Sequence, residues 1–370
     1  MGRGRLLTLV LAGDVMPGRG IDQALRCSVA PLLYERYVDD AREYVALAER
    51  AHGPIGAPLD PPEVWGDALP ELLRAGVDVR IVNLETAITS HDDPWPGKGV
   101  HYRMHPANVG LLTCAGIDVA VLANNHVLDW NRPGLRETLE VLHRAGIARV
   151  GAGAEAGSAW APAVATTPTG RLLVFAAGFG DAGIPDAWRA APGQPGVALV
   201  TDTSRRGADA LATSLLAQRR AGDRVVVSLH WGPNWGYGVP AWQRAFAHRL
   251  IDAGAADLIH GHSSHHPKGI EVHGGRAIVY GAGDLLNDYE GIRGHASYRP
   301  GLSLLYLPTL DADGALVSLE LLPLRTRRFR LERAPAEDAQ WLAAAVERAS
   351  RDFGVGIELA SEGRLALRWR

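Results

Sequence analysis

Side chains that commonly bind metal ions recur in this sequence where short apolar runs end. They comprise carboxylates, an amide and imidazoles, and they are Asp14, Glu85, Asn125, His230, His262 and His265. Carboxylate and amide oxygens together with imidazole nitrogens suit Mn, Fe, Zn, Co or Ni better than Ca²⁺ or Cu(I). The sequence therefore predicts a divalent metal site and leaves the identity and number of the ions open.

Each of these residues has a structural alternative when it is taken alone. Asp14 could cap a helix, Asn125 could hold a turn, and a single histidine is more often a structural residue than a ligand. Their shared position favours the metal site, because ligands of an open α/β sheet bind at the carboxyl ends of its strands.

The elements that must position these residues alternate between short apolar runs and longer amphipathic stretches, the pattern of β-α units. Strands are predicted at 6–11, 79–83, 119–122, 148–151, 172–176, 225–229 and 257–259. Helices are predicted at 39–51, 67–75, 106–115, 133–145, 207–221 and 241–253. Several of these helices are followed by glycine, as helix C-termini prefer.

The C-terminal part of the chain has a different pattern. Short alternating strands at 269–272, 277–281, 302–307 and 315–322 indicate antiparallel pairing, and a helix at about 334–351 is expected to close the chain. Nothing divides the sequence into independently patterned halves, so we predict one domain over 1–370, with a core at about 6–310 and a C-terminal strand and helix in 311–370. The segments 51–62 and 91–100 are expected to be loops near the mouth of the site.

Composition and charge narrow the class of protein. The 370 residues are 47% hydrophobic and 21% charged, which is typical of a folded globular chain, and the formal net charge of −3 gives no case for a nucleic-acid surface. The apolar run 6–11 is too short for a signal peptide or membrane span. Cys27 and Cys114 are expected to be ordinary thiols. These features predict a cytoplasmic protein that binds neither membrane nor nucleic acid; they do not indicate an oligomeric state.

Six ordered motifs between Leu6 and Leu307 resemble those of the bacterial capsule-synthesis CapA proteins of polyglutamate type, a family of calcineurin-like metallophosphoesterases. The motifs are Gly13-Asp14-Val15-Met16, Asn83-Leu84-Glu85, Asn124-Asn125-His126 with Asp129, His230-Trp231-Gly232, Gly261-His262-Ser263-Ser264-His265 and Tyr280-Gly281-Ala282-Gly283-Asp284. The resemblance implies an α/β fold, a four-layer αββα sandwich of two mixed sheets with the metal site at the sheet edge.

The resemblance also implies roles for individual residues. Asp14 is expected to bind one metal ion, and Glu85 stands at the position of the bridging carboxylate. The expected ligands of the second ion are Asn125, His230 and His262, while His265 returns to the first. His126 takes the position of the catalytic histidine outside the ligand shell, oriented by Asp129.

Two departures from the family pattern change the expected chemistry. Met16 stands where classical phosphoesterases of the superfamily have the histidine of Asp-x-His, and Glu85 stands in place of their bridging aspartate. One metal position is therefore predicted to be weaker, which counts against efficient phosphoester hydrolysis. CapA proteins usually carry an N-terminal membrane anchor, and the short run 6–11 indicates a soluble branch instead.

The soluble branch that this chain most resembles is the peptide epimerases of lasso-peptide biosynthesis, which invert the Cα of a C-terminal residue in a ribosomal precursor peptide. Metal binding would stabilise the enolate-like charge, and no nucleotide or pyridoxal cofactor is expected. Inversion needs a base and an acid on opposite faces. We predict His295 for one role, with Asp14 or His126 for the other; the alternative for His295 is a surface loop residue.

Contacts to the precursor peptide are predicted for Trp231, Trp235, Asn124 and Arg293. The aromatic residues after His230, which also include Tyr237 and Trp242, could line a groove for a peptide end or could equally be core and rim packing.

Two other functions stay open from the sequence. The first is a metal-dependent phosphoesterase or amide hydrolase of capsule or polyglutamate metabolism, in which His126 protonates the leaving group. The second is a non-catalytic assembly protein for an extracellular polymer, which the nearly complete set of metal ligands argues against.

Overall fold

The computed structural model describes residues 5–369 and shows a mixed α/β fold. Its strands are β1 (Leu7–Val15), β2 (Val79–Leu84), β3 (Ala87–Ile88), β4 (Arg103–Met104), β5 (Val119–Val121), β6 (Ala148–Val150), β7 (Ala152–Gly153), β8 (Ala163–Thr167), β9 (Gly170–Phe179), β10 (Gly196–Val197), β11 (Leu199–Val200), β12 (Arg224–His230), β13 (Leu258–His262), β14 (Ile270–His273), β15 (Arg276–Val279), β16 (Asp284–Leu286), β17 (Leu302–Leu310), β18 (Leu316–Arg327), β19 (Arg330–Arg333), β20 (Gly356–Leu359) and β21 (Leu365–Arg368).

The helices lie between these strands and are mostly short. They are α1 (Gly20–Ala24), α2 (Arg42–His52), α3 (Pro61–Trp65), α4 (Leu69–Leu72), α5 (Gly110–Cys114), α6 (Asn131–Arg144), α7 (Ala156–Ala159), α8 (Arg205–Leu216), α9 (Ala241–Asp252) and α10 (Ala336–Ser350). Turns of 3₁₀ helix occur at Gly66–Ala68, Pro106–Val109, Gly180–Ala182, Asp186–Trp188, Ala296–Tyr298, Arg351–Phe353 and Ser361–Gly363. Within residues 5–369, none of the helices is long and apolar enough to cross a bilayer.

The first large sheet is mixed and has the order β20-β21-β18-β17-β1-β2-β5-β6, with β16 paired to β1 and β19 to β18. Strands β1, β2, β5, β6 and β16 are parallel, whereas β17 to β21 join by antiparallel pairing. The carboxyl ends of the parallel strands therefore meet at one edge of the sheet.

The second large sheet has the order β11-β9-β12-β13-β15-β14, with β8 paired to β9. Its central strands β9, β12, β13 and β15 are parallel, while β8 and β14 pair antiparallel with their neighbours. The register aligns His230 with His262, so both histidines stand side by side at the carboxyl ends of β12 and β13.

Alternate residues of the second sheet are buried in different hydrophobic clusters, as the two-residue repeat of a strand requires. On β9, Leu172 and Val174 belong to the same cluster as the apolar residues of β1, whereas Leu173 and Phe175 pack with residues of α8 and α9. Both faces of this sheet are therefore covered. The two mixed sheets are observed; the four-layer order and the single domain stay predictions.

Most predicted elements are present, with bounds that differ where turn residues intervene. Strand β1 runs to Val15, so that Asp14 lies within the strand. The predicted helix 67–75 is divided into a 3₁₀ turn at Gly66–Ala68 and the short α4, and it ends earlier, at Leu72. The predicted helix 106–115 is likewise divided into the turn Pro106–Val109 and α5.

The expectation that a helix closes the chain is wrong. Helix α10 is followed by the antiparallel pair β20 and β21, and β21 adds to β18 through Glu320 and Leu321. In the same region β15 pairs parallel with β13 as well as antiparallel with β14. The short runs that form β20 and β21 carry too little periodicity to be recognised without their partner strand.

A close approach between two glycines positions the end of β1. The Asp14 N–H donates to the Gly283 carbonyl over 2.9 Å, and a Cβ atom added to Gly13 would lie 1.7 Å from that carbonyl oxygen. Because Gly13 has no side chain, β16 can pair with β1, and the pairing aligns Asp14 with Asp284.

We expect the substitution Gly13→Ala to lower the free energy of unfolding by about 3 kcal/mol or more, since the backbone of β16 must move to admit the methyl group. Bound metal per chain should fall with it. Chemical unfolding and metal analysis measure these effects. Gly110→Ala is the matched control, since a Cβ there meets no atom within 4 Å, and it should leave both quantities unchanged.

Candidate metal centre

The residues predicted to bind metal converge where the carboxyl edges of the two large sheets meet. Glu85 directly follows β2, and its Oε2 lies 3.8 Å from His230 Nδ1 at the end of β12. Asn125 follows β5, and its Oδ1 lies 3.1 Å from His230 Nε2. Parallel strands from separate sheets thus deliver carboxylate, amide and imidazole groups to one place, as their positions after apolar runs predict.

Asp14, His230 and His262 form the first group of possible ligands, with one ligand atom of each within 4.8 Å of the others. The Nδ1 atoms of His230 and His262 are 2.8 Å apart. Burial lowers the pKa of both imidazoles well below the ordinary value. Both rings are therefore neutral, and a neutral imidazole has one nitrogen lone pair to offer a metal ion.

Asp14, His265 and Asp284 form a second group with the same spacing, so Asp14 belongs to both. His265 Nδ1 lies 2.9 Å from Asp284 Oδ1, and its Nε2 lies 2.9 Å from Asn234 Nδ2. Burial opposes protonation of His265, but the charge of Asp284, its hydrogen bond and the charge of Asp14 together outweigh burial and raise the pKa of the imidazole. Binding a metal through Nε2 would require Asn234 to turn away.

A single amide holds the two central carboxylates. Asn83 Nδ2 donates to Asp14 Oδ1 and to Glu85 Oε2, each over 2.7 Å. Burial, followed by the neighbouring charge of Asp284, raises the pKa of Asp14 to about 7; burial and the charge of Asp14 raise the pKa of Glu85 well above its ordinary value. Two carboxylates this close need a cation or a proton between them.

The other oxygen of Asp14 tests whether a metal ion fits here. Asp14 Oδ2 is buried and has no hydrogen-bond partner among residues 5–369. Burying a carboxylate oxygen without a hydrogen-bond partner lowers the stability of the fold. The neighbouring imidazoles of His230 and His262 are neutral, so each has a nitrogen lone pair that could bind a metal ion. A divalent cation would satisfy all of them, so the residues present fit the predicted metal. The ligand role of each residue stays a prediction.

Beside these groups lies the pair His126 and Asp129, held by a lysine. His126 Nδ1 is 2.7 Å from Asp129 Oδ2, and Lys98 Nζ is 2.7 Å from Asp129 Oδ1. Burial lowers the pKa of His126 to about 4. Burial alone would raise the pKa of Asp129, but its contacts with His126 and Lys98 together outweigh burial and lower it. The imidazole is therefore neutral. Nδ1 also lies 3.0 Å from Lys98 Nζ, so both contacts engage this nitrogen and Nε2 is the one left for proton transfer.

Several residues of the site were missed by the sequence analysis. Asp284 stood in a quoted motif without a role, and Lys98 lies in a loop whose detail the sequence did not predict. Ser228 Oγ lies 2.9 Å from His262 Nε2 and 3.1 Å from His260 Nδ1. The alternation of Ser228 with His230, and of His260 with His262, is the one signal that could have placed all four on the same face.

A cavity of about 220 Å³ opens next to the second group of ligands. It is lined by His265, Trp235, Tyr289 and His295, among others. The exposed ring of His295 is stacked on Trp235, with ring centroids 3.9 Å apart. The structure therefore brings His295 and Trp235 to the site, and their predicted catalytic and substrate-binding roles stay predictions.

Comparison with known proteins identifies the family. Residues 8–289 match the family described as bacterial capsule synthesis protein PGA_cap. The chain belongs to this family. It is 48% identical over 355 residues to a probable polyglutamine synthesis accessory protein of Mycobacterium tuberculosis, covering 95% of this chain and 93% of that protein.

More distant relatives carry related names. The PGA biosynthesis protein CapA of Bacillus subtilis is 28% identical over 191 residues, which cover 52% of this chain and 48% of that protein. The capsule biosynthesis protein CapA of Bacillus anthracis is 28% identical over 192 residues, covering 52% and 45%. The resemblance to CapA proteins is confirmed, whereas the comparisons do not show the epimerase branch.

Two predicted substrate contacts of this PGA_cap family member, Trp231 and Asn124, are buried, and their substrate-binding roles stay predictions. Trp231 is only 2% exposed and donates from Nε1 to the Tyr280 carbonyl, so it packs in the core. Asn124 is fully buried: its amide donates to Asn83 Oδ1 and the Leu84 carbonyl, and its Oδ1 accepts from the N–H groups of residues 126 and 127. It fixes the turn after β5, and its hydrogen-bonding capacity is used.

Proposed function

We propose that this protein is a metal-dependent hydrolase that cleaves amide bonds of an anionic polypeptide of the polyglutamate type. The observation that carries the proposal is the pair of ligand groups that share Asp14, next to the His126–Asp129 pair. The relatives' names, which refer to polyglutamine synthesis, PGA biosynthesis and capsule biosynthesis, support the substrate class.

The first group of ligands would hold the metal ion through Asp14, His230 and His262, with Glu85 and Asn125 beside them. The chemistry supplied by a bound divalent ion is polarisation of a carbonyl oxygen and a lower pKa for a water molecule. Asn83 fixes the orientation of Asp14 and Glu85 by donating to both carboxylates. The carboxylates are therefore held in place before substrate binds.

His126 moves the proton in this proposal. Its neutral imidazole accepts a proton at Nε2 from the attacking water and returns it to the nitrogen of the leaving amine. Asp129 receives the Nδ1–H and stabilises the imidazolium, and Lys98 holds Asp129 in place through Oδ1. Removing either support would weaken the polar contacts that orient the imidazole.

A second candidate function is the epimerase, and a specific observation favours it. His295 lines the same cavity as His265, so two imidazoles face one small space next to the metal ligands. An acid and a base placed around one Cα are what inversion requires. The relatives' names support hydrolysis in polymer metabolism better, and we therefore place epimerisation second.

The test begins by stripping metal with a chelator and reloading Mn, Fe, Zn, Co or Ni separately. Each form is incubated with α-linked and γ-linked oligoglutamate, and new amino groups are measured with an amine-reactive dye and mass spectrometry. We expect amine release that depends on metal. Release of phosphate from an aryl phosphate, without amine release, would assign the chain to phosphoester hydrolysis.

The same samples test the remaining alternatives. In deuterium oxide, a one-dalton gain at a single Cα of a precursor peptide, together with a D-residue, would support the epimerase. A protein that binds metal but shows neither hydrolysis nor exchange would be an assembly protein. We further infer the four-layer αββα order from the shared core of the two sheets; the cytoplasmic location stays a prediction.

A further inference from the structure

A large groove adjoins the cavity of the metal centre. Its volume is about 1060 Å³, and its lining includes Arg36, Tyr37, Arg50, Val100, Ile292 and Arg293. Ile292 also lines the cavity that contains His265 and His295. We call this surface the arginine groove. The groove and the cavity beside His265 therefore share one side chain of their walls.

The three arginines of the groove lack acidic partners. Arg36, Arg50 and Arg293 are exposed, and within residues 5–369 no carboxylate oxygen lies within 4 Å of their guanidinium nitrogens. Many other arginines of this chain have such a partner: Arg19, for example, is paired with both Glu35 and Asp288. The groove therefore offers unpaired guanidinium groups, which bind carboxylates with two hydrogen bonds each.

The lining holds one acidic residue against three arginines. Glu35 Oε1 accepts from Arg19 Nη1 over 2.8 Å, and its Oε2 accepts from the hydroxyl of Tyr44. Both oxygens are thus used by buried donors beneath the groove. The formal net charge of −3 describes the whole chain, whereas three arginines against one glutamate leave the lining with a formal charge of +2.

Exposed apolar side chains complete the lining. Tyr37 is 84% exposed and Ile292 is 40% exposed. Glutamyl side chains carry two methylene groups below the carboxylate, so they can contact an apolar surface while their charge reaches an arginine. A groove lined by both guanidinium groups and apolar side chains matches that chemistry.

We propose that the arginine groove binds the carboxylates of an acidic polypeptide and leads the chain into the cavity beside His265. The proposal names the substrate-binding surface of the hydrolase proposed above and rests on it for the reaction. Binding of the acidic chain rests on the groove alone. The two claims can therefore fail separately.

The test compares two triple variants with the wild-type protein. In one, Arg36, Arg50 and Arg293 are each replaced by glutamine, which keeps a polar, unbranched side chain and removes the charge. In the control, the exposed arginines Arg136, Arg144 and Arg149 of α6 and β6 are replaced in the same way. Both triples change the net charge by the same amount, so they separate the groove from general electrostatic attraction.

Binding of a short fluorescein-labelled oligoglutamate is measured by fluorescence anisotropy with the metal-loaded protein. We expect the groove variant to bind about 10-fold to 100-fold more weakly and the control within about twofold of wild type. Binding should weaken as salt is added, and oligoglutamine should not bind. Equal binding by the two triples, or equal binding of oligoglutamine, would overturn the proposal.

Two further measurements separate the groove from the reaction. A single-stranded oligonucleotide that binds through the same arginines as tightly as oligoglutamate would contradict an acidic polypeptide as the occupant. If oligoglutamate binds through the groove but is not cleaved with any metal, the hydrolase proposal fails and the groove stands. If cleavage occurs and the groove variant has unchanged KM and affinity, the groove proposal fails and the hydrolase stands.

Discussion

The substitution Asp14→Asn is expected to abolish metal-dependent hydrolysis, with a fall in kcat of about 10³-fold or more. Asp14 is the one carboxylate that belongs to both groups of ligands, and an amide is a far weaker ligand than a carboxylate. Bound metal per chain, measured by elemental analysis after gel filtration, should fall in parallel. Amine release from oligoglutamate gives the rate.

The same variant should be at least as stable as wild type when both are free of metal. Asp14 is fully buried, and its Oδ2 has no hydrogen-bond partner within residues 5–369. A neutral amide costs less to bury than a carboxylate, so the melting temperature of the metal-free variant should be unchanged or higher. Wild type should gain stability from added metal, whereas the variant should not.

Asp22 provides the matched control for this prediction. Its Oδ1 accepts from the His105 N–H and from Asn108, and its Oδ2 accepts from the Val29 N–H. The substitution Asp22→Asn replaces one of these acceptor oxygens by an NH₂ group, which then faces a hydrogen-bond donor. The change should lower the free energy of unfolding by about 1–3 kcal/mol. Its metal content should stay normal. Normal metal content and rate in Asp14→Asn would exclude Asp14 from the metal centre.

A second large effect is expected for His126→Gln, which should lower kcat by about 10²-fold to 10⁴-fold while bound metal stays unchanged. Glutamine occupies similar space and cannot carry a proton between the attacking water and the leaving amine. The loss should shrink for anilide substrates with better leaving groups, because these need less proton donation. Kinetics on a series of substituted glutamyl anilides measure this dependence.

The control for His126 is His101, another buried histidine. His101 Nε2 lies 3.1 Å from the Trp95 carbonyl, and its ring packs near Trp130. The substitution His101→Gln should lower stability and leave kcat nearly unchanged. If His126→Gln showed the same loss for good and poor leaving groups, His126 would be a positioning residue rather than the proton carrier.

Much of the metal centre could be predicted from the sequence because it follows the strands. The apolar runs before Asp14, His230 and His262 are long enough to be recognised as strands, and parallel strands bring their carboxyl ends to a common edge. The motifs around these residues also led to the family, which the match over residues 8–289 confirms. The predicted epimerase chemistry rested on a branch of that family that the comparisons do not show.

Other features could not be predicted because they depend on segments that meet only in the folded chain. Lys98 reaches Asp129 from a loop rich in proline and glycine, whose path has no periodic signal. Trp231 directly follows a ligand in the sequence but points into the core, where it packs with Tyr280. Adjacent residues of a strand face opposite sides of the sheet, and the sequence alone does not show which of the two faces the substrate would contact.

The sequence by itself determined the α/β class and the strand ends at which Asp14, His230 and His262 stand, because hydrophobic periodicity is a local property of the chain. Only the tertiary structure decided that Asp284 lies beside Asp14. The two residues are far apart in the sequence, and they meet because β16 pairs with β1, which is possible only because Gly13 has no side chain. The tertiary structure also decided that Arg36, Arg50 and the distant Arg293, none of which has an acidic partner within residues 5–369, line one groove. Such contacts arise from packing between segments, which no local pattern records.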